Sequence, residues 1–331
     1  MIWVDGGDPE WKAEKNKYNP KQDGTEDSRD SRYRDWDNLR YWFRGIEKFA
    51  PWVNKVYFVT CGHIPDWLNL DAPKLIHVKH NDYMPNEYLP TFNANPIELN
   101  LHRIKGLSEH FIYFNDDMFI IKPVNPDMYF KNGIPVHPAR LHGIFPRAQG
   151  GVMPHMYINT ATLINKNFNM KEGLKRDRKK WFSIRKNGIR NVIENIYNSN
   201  FPEYPGFGNE HMPVPILKST MDAVWNAEGD ALNATSLNKF RSMMDVNQYV
   251  FRYWQLASGN FIPIKEAKLG RCFDITPDTT EICSSIVAQK YNMVCLNDMD
   301  LFDTYEGFVK AREEIKLAFD KILPDKSAFE K

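Results

Sequence analysis

Apolar residues recur along this chain with two alternating periods. From Asp35 to Ala50, Leu39, Trp42, Phe43, Ile46 and Phe49 fall three and four apart, which lines them along one face of a helix, and Pro51 stands just past its end as a stop. Val56-Tyr57-Phe58-Val59 and Leu75-Ile76-His77-Val78 are short, bounded apolar runs of the kind that form buried strands. Asn95-Pro96-Ile97-Glu98 predicts a helix start, with Asn95 as cap, proline at the first helical position and glutamate three residues after the cap. That helix is expected to run to Lys105 with Ile97, Leu101 and Ile104 inward. Phe111-Ile112-Tyr113-Phe114 is too short for a helix, breaks at Asn115-Asp116-Asp117 and resumes at Met118-Phe119-Ile120-Ile121.

The flanking regions follow from the same reading. Residues 1–4 predict a short strand and 5–35 a long polar connection, with Gly6-Gly7 and Asp8-Pro9 as turn signals. From Pro123 to Pro154 the density of proline, glycine and histidine predicts loops over the sheet edge. Helical spacing returns at Ile189, Val192, Ile193, Ile196 and Tyr197, and again at Val246, Val250, Tyr253 and Ala257 before Gly259; a last helix from Tyr305 to Leu323 ends at Pro324. The order strand, helix, strand, strand points to an α/β protein. The expected architecture is a single domain over 1–331: a Rossmann-like, mostly parallel sheet with flanking helices in 1–125, and a mainly helical half, 126–331, that closes over the cleft.

The 331 residues carry 43 Lys+Arg against 42 Asp+Glu, a formal net charge of +1, which argues against a nucleic-acid binder held by bulk charge. Aromatics make up 14%, ample for a large core, and no apolar run approaches the roughly 18 residues of a membrane-spanning helix. The N-terminus has neither a basic leader nor a long apolar segment, so a secretory signal is not expected and a cytoplasmic location is. Four widely spaced cysteines, Cys61, Cys272, Cys283 and Cys295, predict free core thiols in a reducing compartment. Near-neutrality also hides opposed regions. Residues 166–190 hold ten basic residues and two acidic ones, net +8, whereas 272–306 hold seven acidic residues and only Lys290. The basic segment suits a growing phosphopolymer, the anionic leaflet at the inner face of the cell membrane, or simple solvation.

Five constellations can carry chemistry. Asp116-Asp117 follows a buried strand, the place where side chains leave the packed layer of an α/β sheet, and paired carboxylates suit a hard divalent cation; the same residues also suit a polar turn. Trp3-Val4-Asp5-Gly6-Gly7-Asp8 is a second strand ending in acid and glycine, without a dinucleotide or phosphate-loop spacing. Glu98 and His102, four apart, share a face of the predicted helix, with Arg103 next. His211 precedes a helix expected to begin at Pro213 and is a candidate base or capping residue. Lys239-Phe240-Arg241, with Asp245 and Asn247, opens the Val246–Ala257 helix, where a helix N-terminus and a guanidinium together favour phosphate.

Taken together these segments resemble the four characteristic regions of the Stealth family, the sugar-1-phosphate transferases of bacterial capsule synthesis, to which animal GlcNAc-1-phosphotransferase is related. The first resembles Ile2 to Trp11. The second, the most specific, runs from Leu39-Arg40-Tyr41 through Ile46 to Val53, Leu89-Pro90-Thr91-Phe92-Asn93, Glu98, Leu101-His102-Arg103-Ile104 and Phe114-Asn115-Asp116-Asp117. The third is similar to His211-Met212-Pro213, and the fourth to Thr235-Ser236 through Phe240-Arg241 to Asp245 and Asn247. The chain departs from the family at Asp37-Asn38 and at Asn238, where the animal enzyme has histidine.

The resemblance implies a nucleotide-diphospho-sugar-transferase-like fold and transfer of a sugar-1-phosphate from a nucleotide-sugar such as UDP-GlcNAc to a hydroxyl of a glycan or phosphopolymer acceptor. The alternative is a metal-dependent glycosyltransferase that forms a glycosidic bond. It implies Mg²⁺ or Mn²⁺ on Asp116 and Asp117, Arg241 on phosphate, His211 as general base with Asp245 as its alternative, and Trp3, Asp5, Gly6, Asp8, Arg40, Asn93, Glu98, Arg103 and Asn247 as lining for donor and acceptor.

Overall fold

A computed structural model describes residues 1–18, 33–145 and 151–331, together with the backbone of Glu26 and Asp27. The Leu39–Phe49 helix buries Leu39, Trp42, Phe43, Ile46 and Phe49, the positions its periodicity marks. It lies directly on the strand Met118–Ile120: a side chain at Gly45 would meet the Ile120 carbonyl oxygen at 2.6 Å, so only glycine allows this approach. Tyr41 stacks on Phe319 of the C-terminal helix Tyr305–Ile322, which closes the other side of this core.

The α/β reading holds, and the strand pairing is mixed. Val56–Thr60 runs parallel to Leu75–Lys79, and Ile2 joins Val59 by a single parallel bridge. Arg271–Ile275 runs parallel to Met293–Asp298, whose other edge pairs antiparallel with Met118–Ile120. His110–Tyr113 pairs antiparallel with Val214–Leu217, and Ile134–His137 pairs parallel with Ile262–Pro263 and antiparallel with Phe130–Lys131. The last strands of the chain thus extend the sheet from one edge of Met118–Ile120, and the two halves of the sequence interleave. One core joins the Leu39–Phe49 helix to residues 269–329, and a second joins Val59, Val78 and Tyr113 to the helices Met153–Asn167, Lys218–Ser236 and Tyr249–Ser258.

Several local expectations are corrected. Within the polar connection, Pro9–Tyr18 is a helix, because Asp8 Oδ1 accepts from the Trp11 backbone N–H at 2.6 Å, Pro9 begins it and Trp11 is buried. Residues 19–32 otherwise lie outside the described part, apart from the pairing of Glu26–Asp27 with Arg241–Ser242. The cap of the next helix is Asn93, not Asn95; Ala94–Leu99 ends early and Leu101–Arg103 follows as one tighter turn. The region after Pro123 holds the strands Phe130–Lys131 and Ile134–His137 around Asn132-Gly133, whose positive φ angles of 52° and 75° make a tight hairpin turn. Val214–Leu217, after Pro213, is a fully buried strand rather than a helix start, as a short all-apolar run allows. The Ile189–Asn198 helix forms where expected, but Asn191, Val192, Asn195 and Asn198 are its buried residues.

Candidate active site

The strand His110–Tyr113 delivers Asn115, Asp116 and Asp117 to one point in space, and the turn Gly208 to Pro213 brings His211 there. His211 Nε2 lies 3.7 Å from Asp117 Oδ2 and 3.1 Å from Asn115 Nδ2. The Tyr113 hydroxyl reaches both Glu98 Oε1, at 2.7 Å, and Asn115 Oδ1. Glu98, Tyr113, Asn115 and His211 therefore form a continuous polar relay from a buried helix to the strand end.

Charge in this group is crowded. Burial first, then the adjacent Asp117 carboxylate, raises the Asp116 pKa to about 7, with Asp35 adding to the effect. Glu98 is raised by burial, against the pull of Arg241, the Tyr113 hydrogen bond and His211. Burial pulls the His211 imidazole down, but the facing Asp117, with Cys272 and Glu98 behind it, outweighs that and lifts it to about 9. An imidazolium facing Asp117 cannot also accept from the Asn115 amide, so the protonation of His211 and the orientation of that amide change together.

Asp117 Oδ1 is buried with no hydrogen-bond partner. A buried orphan carboxylate oxygen beside a second carboxylate is the donor set a hard cation takes, so the residues present fit Mg²⁺ or Mn²⁺. Beside them, an imidazole nitrogen of His211 and the thiols of Cys272 and Cys295 lie within 4.8 Å of one another. Cys295 is buried, but Cys272 is exposed, so two of the thiols expected as core residues stand at the site.

A second group sits on the first strand. Trp3 stacks on Phe58 with its ring edge toward His63; the Asp5 backbone N–H donates to His63 Nδ1 at 3.0 Å, and His63 Nε2 lies 3.8 Å from Asp8 Oδ1. A side chain at Gly6 would meet the Tyr33 carbonyl oxygen at 1.8 Å, so glycine lets residues 33–35 cross here and brings Asp35 within electrostatic reach of both Asp5 and Asp116.

Asp245 is fully buried and encircled. Its Oδ2 accepts from Asn93 Nδ2 and Asn95 Nδ2, both at 2.9 Å, and from the Ser242 N–H at 3.1 Å, while Oδ1 accepts from Asn238 at 2.6 Å. Burial raises its pKa and those hydrogen bonds oppose the rise. Asn247 is buried and accepts from the Tyr249 N–H. Arg241 lies near enough to Glu98 to act on it, with its backbone paired to Asp27.

Two residues assigned by motif order pack on tryptophan rings. Arg40 lies over the Trp67 ring at 5.5 Å, and Arg103 lies over Trp225 at 4.9 Å with Nε on Asn100. His102 also turns to Trp225, so it does not share the face of Glu98. Sequence reasoning missed Asp35, His63, Tyr113, Asn115, Cys272 and Cys295 as members of the site; of these, only Asn115, next to the acidic pair, carried a local signal.

A family model described as Stealth protein CR2, conserved region 2, matches residues 32–136. Along its whole length the chain is similar to the receptor polysaccharide phosphotransferase WefC of Streptococcus oralis, at 40% identity over 337 residues, covering 100% of this chain and 98% of that protein. It is equally similar to the capsular polysaccharide phosphotransferase WcwK of Streptococcus pneumoniae, at 40% over 334 residues with 100% and 98% covered. The exopolysaccharide phosphotransferase cps2G of Lactiplantibacillus plantarum is 36% identical over 332 residues, with 100% and 95% covered. The fold, the site and these relatives define an α/β transferase. The chain belongs to the Stealth family.

Proposed function

We propose that the chain transfers a sugar-1-phosphate from a nucleotide-sugar such as UDP-GlcNAc to a hydroxyl of a glycan or phosphopolymer acceptor in capsular or exopolysaccharide synthesis. The observation that carries this reading is the Asp116–Asp117 pair, with its orphaned carboxylate oxygen, set against His211 in a chain whose full-length relatives are named polysaccharide phosphotransferases. The acceptor oxygen attacks the phosphorus next to the sugar, a new P–O bond forms, the P–O bond to the nucleotide breaks, and nucleoside monophosphate leaves. Such a reaction asks the protein mainly for positioning and charge stabilisation.

Asp116 and Asp117 would hold Mg²⁺ or Mn²⁺, which when bound supplies positive charge to the diphosphate. Arg241 binds a phosphate oxygen in the bidentate manner of a guanidinium. His211, oriented by Asn115, in its neutral form takes the proton of the acceptor hydroxyl. Asp245 takes a positioning role in place of the base, since its oxygens are already engaged by Asn93, Asn95, Asn238 and Ser242. Trp3, Asp5, Gly6 and Asp8 line the donor side. Action in the cytoplasm, with peripheral association at the inner face of the cell membrane, is part of the same reading; among the described residues no helix is long and apolar enough to cross a membrane.

The test is product analysis. Incubation with a panel of nucleotide-sugars, Mg²⁺ and acceptor glycan yields nucleoside monophosphate by mass and a phosphodiester by phosphorus resonance. Nucleoside diphosphate and a glycoside instead would overturn the reading in favour of an ordinary glycosyltransferase.

A further inference from the structure

The helix Ile189–Asn198 is built inside out. Its apolar residues Ile189, Ile193, Ile196 and Tyr197 share one face and are 64%, 60%, 55% and 69% exposed, while its asparagines point inward. The inward face is locked by specific bonds: Asn195 Oδ1 accepts from the Leu141 N–H at 2.6 Å, its Nδ2 donates to the Ala139 and Trp181 carbonyls, both at 2.8 Å, and Asn198 Nδ2 donates to the Leu141 carbonyl at 3.1 Å. Turning the helix to bury the isoleucines would break all four.

The exposed face is also extended by its neighbours. Phe201 packs against the Tyr197 ring, with centroids 6.2 Å apart; Ile184 precedes the Gly188 turn; and Phe145, 78% exposed, follows the Ala139–Leu141 segment that the asparagines hold. An apolar stripe of this size on a surface helix requires a partner.

Charge says which partner. Arg178, Lys179, Arg185 and Lys186 immediately precede the stripe, are exposed and form no ion pair among the described residues. Of the acidic residues here, Asp177 pairs with Arg176 and Lys180, and Glu194 with Arg140 and Arg190, while Glu172 and Glu203 are exposed, so the segment stays strongly cationic on balance. Apolar side chains bordered by unpaired cations are what an amphipathic helix presents when it lies in the headgroup layer of an anionic membrane.

We propose that the outward face of the Ile189–Asn198 helix, with the cations of residues 178–186, is the surface by which the enzyme lies on an anionic phospholipid bilayer. It also ties the membrane to the site, because Arg140 bridges Glu194 on this helix, at 3.1 Å, and Glu210, the residue before His211, at 3.8 Å. The bridge connects the docking helix to the turn that carries His211. This inference deepens the peripheral-membrane part of the proposed function and rests on that reading for the acceptor, though not for the docking itself.

Co-sedimentation of the full chain with lipid vesicles, without donor or acceptor, tests it. Vesicles containing about a third phosphatidylglycerol should retain the protein roughly tenfold better than phosphatidylcholine alone, and the preference should fade at high salt. Ile193→Ser with Tyr197→Ser, and separately Lys179→Glu with Lys186→Glu, should each lose about tenfold in vesicle binding while transfer to a short water-soluble acceptor is unchanged. Equal binding by the variants, or no binding by the wild type, overturns the proposal. So does a dimer in sedimentation velocity that the serine pair dissolves, which would make the face a contact between copies. A chain that docks but releases no nucleotide sinks the transfer reading alone; one that transfers to the soluble acceptor but ignores anionic vesicles sinks the docking alone.

Discussion

Asp117 Oδ2 faces His211 Nε2 at 3.7 Å, while the other oxygen of the same carboxylate is buried without a partner. One side chain thus presents one oxygen to the imidazole and leaves its second free for a cation. Asp117→Asn keeps the size and removes the charge. Transfer should fall by about a thousandfold or more and lose its dependence on Mg²⁺, with no loss of melting temperature, since a like charge beside Asp116 is also removed. Near-normal turnover in a nucleotide-release assay would rule out the metal role.

Tyr113 and Asn115 reach His211 through a hydrogen-bonded relay, so on the proposed reaction they act by positioning that ring. Tyr113→Phe and Asn115→Ala should each lower kcat by roughly ten- to a hundredfold, leave KM for the donor nearly unchanged and displace the pH profile of kcat. A fall in stability with an unaltered pH profile would reduce these residues to packing.

For Asp245 the structure predicts a failure of folding stability before a failure of chemistry. Asp245→Ala leaves four donors, from Asn93, Asn95, Asn238 and Ser242, without their acceptor, and should cost about 3 kcal/mol or more in a denaturant titration. A stable Asp245→Ala protein with no turnover would restore Asp245 as a candidate base.

Acid sensitivity has a separate origin. Burial, then His63, lowers the His80 pKa to about 4; burial, then Arg103, lowers that of His102 to about 4; burial, then Arg252, also drives that of His137 well below its ordinary value. The fold holds the neutral rings, and unfolding releases them to an ordinary value near 6.5. The stability these three rings contribute is therefore full above about pH 6.5 and is lost as the pH falls from there toward 4, with His80 alone contributing roughly 3 kcal/mol across that window. Melting temperatures measured between pH 7 and pH 4 should fall, and His80→Gln should flatten the slope; an unchanged slope would place the acid sensitivity elsewhere.

What could be seen in the sequence was what local periodicity and local chemistry determine. The Leu39–Phe49 helix was legible because its partners only had to be apolar. Asp116-Asp117 stood out because a strand ran directly into acid. The orientation of Ile189–Asn198 was not legible: the bonds that pull its asparagines inward go to Ala139, Leu141 and Trp181, which no pattern within the helix announces. Arg40 and Arg103 carried the order of a motif but not its geometry, since each packs on a tryptophan remote in sequence, Trp67 and Trp225. Cys272 and Cys295 looked like unrelated thiols until the ladder between Arg271–Ile275 and Met293–Asp298 set them opposite each other.

That last pairing bears on how the enzyme is handled. Two thiols, one exposed and one buried, stand across neighbouring strands and within 4.8 Å of the histidine assigned to proton exchange. Nickel leached from an affinity column, traces of zinc or cadmium, or aerobic storage all act on such a trio, and each alters the same imidazole. Rates from different preparations are comparable only when free-thiol content and bound transition metal have been counted alongside protein concentration.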